Sequence, residues 1–242
     1  MPEPPEPKLS HGALESDRSL AEHFGLELAT TPTVDAWRLV RTPAGMSLRA
    51  PANEGDYALV LSATEGPMAR RLRTARRTDP LPRAVGMHRR RVTRVVDATA
   101  GLGRDAMVLA HLGSAVTALE RVPALCFLLQ TAVRDACLPV EVVRADAVTW
   151  LRACADRAPA PEVVYLDPMF ADVGKAQVKK EMQACRALAG PPRDLTALLA
   201  AARRAARDRV VVKRHAHHPP IGAGVSFEVK GERVRFDVYL TP

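Results

Sequence analysis

Val95-Val-Asp-Ala-Thr-Ala-Gly-Leu-Gly-Arg-Asp105 reads as an apolar strand that ends in an acid, turns through two glycines and enters a helix. Gly101 and Gly103 allow a tight bend and a close backbone approach to a ligand, and the carboxyl edge of an open α/β sheet is where such folds bind cofactors. Glu120 closes the next extended segment, 115–120, at a place where a carboxylate can accept both hydroxyls of a ribose. The expectation is a cofactor that contains adenosine. Residues 101–106 also satisfy G-x-G-x-x-A, a dinucleotide pattern that is weak in isolation. Asp97, four positions ahead of the first glycine, sits awkwardly beside a pyrophosphate but suits the ammonium and sulfonium charges of S-adenosylmethionine. The residues therefore favour S-adenosylmethionine, with NAD as the alternative.

Outward from this stretch, extended and helical segments alternate. Residues 92–98, 115–120, 140–144, 162–166 and 209–213 read as strands, and 104–112, 123–136, 148–155, 175–188 and 195–207 as helices. Such alternation predicts a parallel sheet covered by helices on both faces. Residues 226–230 and 234–240 flank Gly231-Glu232 and predict a closing antiparallel hairpin, which makes the sheet mixed. Ahead of this unit, 14–28 has helical spacing, 37–41 and 46–49 flank a turn at 43–45, and 57–61 is a further strand, which together predict a small α+β lobe. The expected organisation is a disordered tail at 1–8, whose residues 2–7 are only proline and glutamate; an N-terminal lobe at 9–65; a basic connecting segment at 66–91; and the main domain at 92–242.

Val163-Val-Tyr-Leu-Asp-Pro-Met-Phe170 is the second informative stretch, because an apolar strand delivers Asp167 to the same sheet edge and Pro168 stiffens the turn. An exocyclic base amine has its lone pair delocalised into the ring. Asp167 and a carbonyl near Pro168 can accept its hydrogens and make the nitrogen more nucleophilic, while Phe170 stacks on a flipped base. Alone, D-P-M-F is an ordinary turn. Its place on the strand that follows Asp146 is what singles it out.

The 242 residues are 47% hydrophobic and 26% charged, which excludes a disordered or fibrous chain. Lys and Arg outnumber Asp and Glu by 35 to 27, and all but six of the cations are arginine, a balance that attracts polyanions. Arg70, Arg71, Arg73, Arg76 and Arg77, then Arg89 to Arg94, are candidate phosphate contacts. Lys175, Lys179 and Lys180 could lie beside a target, and Lys213 ends a strand at the same edge as Asp167. The four cysteines, Cys126, Cys137, Cys154 and Cys185, form no C-x-x-C pair, and His215, His217 and His218 have no nearby carboxylate, so no metal is expected. No segment approaches the length of a membrane span and the N-terminus is unlike a signal peptide, so a cytoplasmic location without membrane contact is expected.

D-A-T-A-G-L-G-R-D-A from Asp97, L-E-R from Leu119, V-V-Y-L-D-P-M-F from Val163, K-K-E-M from Lys179 and V-V-V-K-R from Val210 together resemble the ribosomal RNA small subunit methyltransferase J family. The resemblance runs from about residue 66 to the end. It implies a Rossmann-like class I S-adenosylmethionine-dependent methyltransferase, with a mostly parallel seven-stranded sheet whose last strand is antiparallel, plus the small N-terminal α+β lobe. The implied reaction methylates the exocyclic N2 amine of one guanine in 16S rRNA. The implied partner is 16S rRNA or the small ribosomal subunit, and no obligate protein partner is evident. Its cofactor positions match Arg104, Asp105, Glu120, Arg121, Asp146, Ala147 and Asp167, which join Asp97, Gly101 and Gly103 from the reading above. Three departures stand out. The family's short opening strand is replaced by the proline tail, the basic stretch at 67–77 lacks glycine and can become a helix, and the family's serine at position 146 is an acid placed to meet the adenine amine. Methylation of another RNA or DNA base amine, an NAD-dependent oxidoreductase and a noncatalytic RNA binder are the alternatives.

Overall fold

The computed structural model describes residues 7–10, 14–29, 36–52, 58–155, 159–168, 188–189 and 194–241. These residues form two sheets. The larger has seven strands: β5 (Arg94–Asp97), β6 (Ala115–Glu120), β7 (Val140–Arg144), β8 (Val163–Leu166), β9 (Arg209–His215), β10 (Phe227–Lys230) and β11 (Val234–Leu240), in the order β10-β11-β9-β8-β5-β6-β7. β7, β6, β5, β8 and β9 run parallel, whereas β11 is antiparallel to both β9 and β10. The valine-rich strands follow from this arrangement, because side chains alternate between two buried faces. Val95, Val163, Tyr165 and Val211 enter one apolar layer, and Val96, Val164, Leu166, Val210 and Val212 enter the other.

Helices α4 (Arg104–His111) and α5 (Pro123–Asp135) cover the first face, and α6 (Ala147–Cys154) and α7 (Leu195–Ala205) the second. α5 is apolar nearly all round, since it lies between the large sheet and the small one. The small sheet has the order β1-β2-β3-β4, from β1 (Lys8–Leu9), β2 (Arg38–Thr42), β3 (Gly45–Arg49) and β4 (Ala58–Leu61). Its inward residues Leu9, Leu39, Met46, Leu48, Leu59 and Leu61 join the α4–α5 layer, so one core spans both sheets. α1 (Glu15–His23) is tied to this assembly by Asp17, whose buried carboxylate takes both Nε and Nη2 of Arg41 at 2.6 Å. Among the described residues no helix is long and apolar enough to cross a membrane.

Two expectations need correction here. The tail predicted for 1–8 ends earlier: Lys8 and Leu9 pair in parallel with Arg38 and Leu39, because Leu9 is an apolar side chain with a fully buried niche and the backbone N–H groups of Lys8 and Leu9 find the carbonyls of Trp37 and Glu27. A short opening strand is therefore present. The helix predicted for 14–28 stops at His23; Gly25 takes a positive φ of 72° and Leu28 turns to bridge Leu9. The basic connecting segment is helical, as the lack of glycine at 67–77 allows: it holds α2 (Gly66–Thr74), with Met68, Ala69 and Leu72 buried, and then α3 (Pro80–Val85). The helix expected at 175–188 falls, except for its last residue, outside the described residues.

Two local devices carry predictions. Gly103 precedes α4 with φ 63°, and a Cβ there would lie 2.2 Å from Leu129 Cδ1 on α5. Gly103→Ala is expected to cost about 2–4 kcal/mol from left-handed strain and overpacking, read as a lower melting temperature; an unchanged melting curve would show that the α4–α5 contact yields freely. At the amino edge of the large sheet, Glu162 accepts from Thr93 N at 2.9 Å and from Arg90 at 2.5 Å, while Arg90 also pairs with Asp208. Burial acts to raise the Glu162 pKa, but the Thr93 and Arg90 hydrogen bonds win and hold it at about 2, below its ordinary 4.5. The folded pKa is the lower one, so this stabilisation is complete above pH 4.5 and is lost as pH falls towards 2. Glu162→Ala leaves Arg90 with Asp208 alone and takes the acceptor from Thr93 N–H, and should destabilise by about 1–3 kcal/mol at neutral pH; chemical denaturation with an unshifted midpoint contradicts it.

Candidate active site

Strand order reverses between β5 and β8, which leaves a crevice at their carboxyl ends. The cleft there is lined by Gly101, Glu120, Arg121, Asp146, Ala147, Asp167 and Pro168 of the sequence-predicted residues, together with Ala98, Thr99, Leu119, Leu125, Val148, Leu195 and Leu198. Glu120 ends β6 with its carboxylate fixed by three backbone donors: Oε1 accepts from Arg121 and Val122 at 2.7 and 2.8 Å, and Oε2 from Gly101 at 2.9 Å. Burial raises its pKa, and the three N–H groups oppose that rise. Arg121 donates to the Ala189 carbonyl, and Ala189 lines the same cleft. Asp146 is the N-cap of α6 and accepts from Thr149 N at 2.9 Å and Thr149 Oγ1 at 3.0 Å.

Asp167 follows β8 with two-fifths of its side chain exposed. Its N–H donates to Thr99 Oγ1 at 2.6 Å, and Oδ2 lies 2.7 Å from Lys213 Nζ. Pro168 is buried beside it. Phe170 and the lysines at 175, 179 and 180 lie outside the described residues.

The remaining predicted residues lie elsewhere. Asp97 is buried, 2% exposed, and its Oδ1 accepts from Thr99 N at 3.1 Å, so it shapes the glycine turn from beneath the cleft. Burial pushes its pKa well up, with Asp105 and Asp167 adding to the rise. Gly103 faces Leu129 rather than the cleft, whereas a Cβ on Gly101 would meet nothing within 4 Å. Arg104 is exposed beside Arg71 in a groove between β4 and α2. Asp105 is buried and turned towards β9: Oδ2 accepts from Tyr165 OH at 2.6 Å and from Lys213 Nζ at 2.9 Å, and Oδ1 accepts from Arg71 at 2.5 Å. Burial works to raise its pKa, yet Lys213 and Arg71 hold it down at about 2.

Sequence reasoning overlooked Thr99, Tyr165 and the inward turn of Arg71. A signal for Tyr165 existed: it and Asp167 are two apart, so they share a sheet face. Among the arginines considered as phosphate contacts, Arg71 is engaged by Asp105, Arg77 by the Leu112 carbonyl, and Arg90 and Arg94 by Glu162 and the Ala160 carbonyl at the edge opposite the cleft. Arg70, Arg73 and Arg76 are exposed on or just after α2.

In a dinucleotide fingerprint the second glycine lets the backbone approach the pyrophosphate; here Leu129 fills that approach, while open space at Gly101 and an anchored carboxylate at Glu120 suit a nucleoside. Fold and cleft together define a class I S-adenosylmethionine-dependent methyltransferase, a transferase of one-carbon groups. The SAM-dependent methyltransferase family model matches residues 19–241, and the NAD alternative falls with that match. The chain belongs to the ribosomal RNA small subunit methyltransferase J family: it is 41% identical to that protein of Thioalkalivibrio sulfidiphilus over 94% of this chain and 93% of the relative, and 40% identical to that of Pectobacterium atrosepticum over 95% and 94%. A solved SAM-dependent methyltransferase from Neisseria gonorrhoeae is 32% identical, with a TM-score of 0.75 over 96% of this chain and 94% of that one.

Proposed function

We propose that this chain transfers a methyl group from S-adenosylmethionine to the exocyclic N2 amine of a guanine in 16S rRNA, acting in the cytoplasm on the small ribosomal subunit. The observation that carries the reading is the convergence of Asp167-Pro168 and Glu120 on one cleft at the strand-order reversal. When bound, the cofactor supplies an electrophilic methyl carbon on a sulfonium. Glu120 would hold the ribose hydroxyls beside the turn at Gly101, and Asp146 and Ala147, which line the same cleft at the start of α6, would hold the adenine edge. Asp167 accepts a hydrogen from the substrate amine, with Thr99 fixing the backbone that carries it. Phe170 is assigned the stacking role on the target base. Proximity and alignment supply most of the acceleration, and the proton can leave after the methyl is transferred, so no strong base is needed. The exposed arginines of α2 are assigned to RNA phosphates.

The test is tritiated methyl transfer to small ribosomal subunits and to naked 16S rRNA from a strain lacking this protein, with nucleoside analysis of the product. N2-methylguanosine is the expected product. Label on another base overturns the assigned target, and absence of label on either RNA despite cofactor binding overturns the rRNA assignment.

A further inference from the structure

On the flank of β8 away from Glu120, four elements bring charges together behind Asp167. Tyr165 pairs with Val211 and Leu166 with Val212, so the next step of the parallel register sets Asp167 beside Lys213 with both side chains on the Tyr165 face. Lys213 Nζ then lies 2.7 Å from Asp167 Oδ2 and 2.9 Å from Asp105 Oδ2. Asp105 is held in turn by Tyr165 OH from β8 and by Arg71 from α2. Lys213 is three-quarters buried, which is a costly place for an ammonium unless it has a purpose or a partner on each side.

We propose that Lys213 is a positioning residue for methyl transfer: it pins Oδ2 of Asp167, keeps that carboxylate an acceptor, and leaves Oδ1 to the substrate amine, while Asp105 anchors the ammonium from behind. The inference rests on the reading of Asp167 as the acceptor of an amine hydrogen. An exocyclic amine needs an acceptor, and a protonated Asp167 would present a donor on one of its oxygens. Among the described residues, the charged and titratable groups facing Asp167 are Lys213 on β9, Asp105 on α4, Arg71 on α2, Asp97 on β5 and Tyr165 on β8. Burial and the negative charge of Asp105 drive the Asp167 pKa up, and Lys213 is the larger of the two cationic influences that pull it back. The lysine's own pKa is raised by the two carboxylates despite its burial, so it stays charged across the working range. Asp105, predicted as a cofactor residue, is thereby given a second task.

The experiment measures the pH profile of kcat on small ribosomal subunits lacking the methylation, with cofactor affinity measured separately by calorimetry. Lys213→Met is expected to lower kcat by about 10²-fold, to leave the cofactor Kd within about threefold of wild type, and to move the acid limb up by about one to three pH units. Lys213→Arg keeps the charge and should keep the acid limb in place. Wild-type kcat with an unmoved limb in Lys213→Met overturns the proposal, as does an equal loss in both variants with no movement of the limb, which is the behaviour of a packing residue. Should Lys213→Met fail to fold, Lys213→Gln, which keeps length and a donor but no charge, carries the same expectations. Asp167→Ala, which leaves no acceptor oxygen, distinguishes the two levels. Full activity there removes the reading of Asp167 itself, whereas an impaired Asp167→Ala beside an unimpaired Lys213→Met removes the role of Lys213 alone.

Discussion

Asp167→Ala is expected to lower methyl transfer by about 10³-fold, to near background. The side chain sits just past the end of a buried parallel strand, and its backbone is held by Thr99 Oγ1 and its carboxylate by Lys213. An acceptor fixed in this way needs no reorganisation as positive charge develops on the attacking nitrogen. Each tenfold in rate corresponds to about 1.4 kcal/mol, so the loss asks about 4 kcal/mol of one charged hydrogen bond and the alignment it imposes. That is at the upper end of what a preorganised partner supplies. Because Asp167 is partly exposed and its removal leaves Lys213 with Asp105, the fold should survive. The check is single-turnover methyl transfer at saturating cofactor. A variant within about threefold of wild type takes Asp167 out of the reaction.

The second large effect concerns the cofactor. Glu120→Ala should raise the Kd for S-adenosylmethionine by about 10²-fold, with kcat at saturating cofactor within about threefold. Hydrogen bonds to a charged group contribute about 1.5–3 kcal/mol each. Part of the loss comes from the protein itself, since Glu120 also gathers the N–H groups of Gly101, Arg121 and Val122 and so sets the glycine turn. Glu120→Gln, which keeps one acceptor oxygen, should fall between the two. Calorimetry decides it: an unchanged Kd in Glu120→Ala would mean that the ribose lies elsewhere, and a lost kcat with an unchanged Kd would move Glu120 from binding to chemistry.

The large sheet was readable because its strands are short apolar runs closed by chemistry-bearing residues. Residues 115–120, 140–144 and 234–240 coincide with β6, β7 and β11. Glu120 and Asp167 were legible as strand-end acids for the same reason, since parallel strands deliver their last residues to one edge. The N-terminal lobe was harder to read. Its proline tail hides the pairing of Lys8 and Leu9, which exists only because β2 and a buried niche are waiting for them. Gly103 looked like a ligand glycine by spacing, and only the position of Leu129 on α5 shows that helix packing occupies its face.

By itself, then, the sequence determined the alternation of strands and helices, the two glycines of the turn, the acids at strand ends and the family to which they point. These are local properties, set by side-chain periodicity and backbone freedom. The tertiary structure alone decided which charges meet. Arg71, Asp105, Tyr165, Asp167 and Lys213 come from four elements separated by tens of residues, and beyond the two-residue spacing of Tyr165 and Asp167 nothing in their local sequence says that they share one partly buried network. The physical reason is that strand register and helix docking fix distances to a few ångströms, the range over which a buried ion pair is either satisfied or costly.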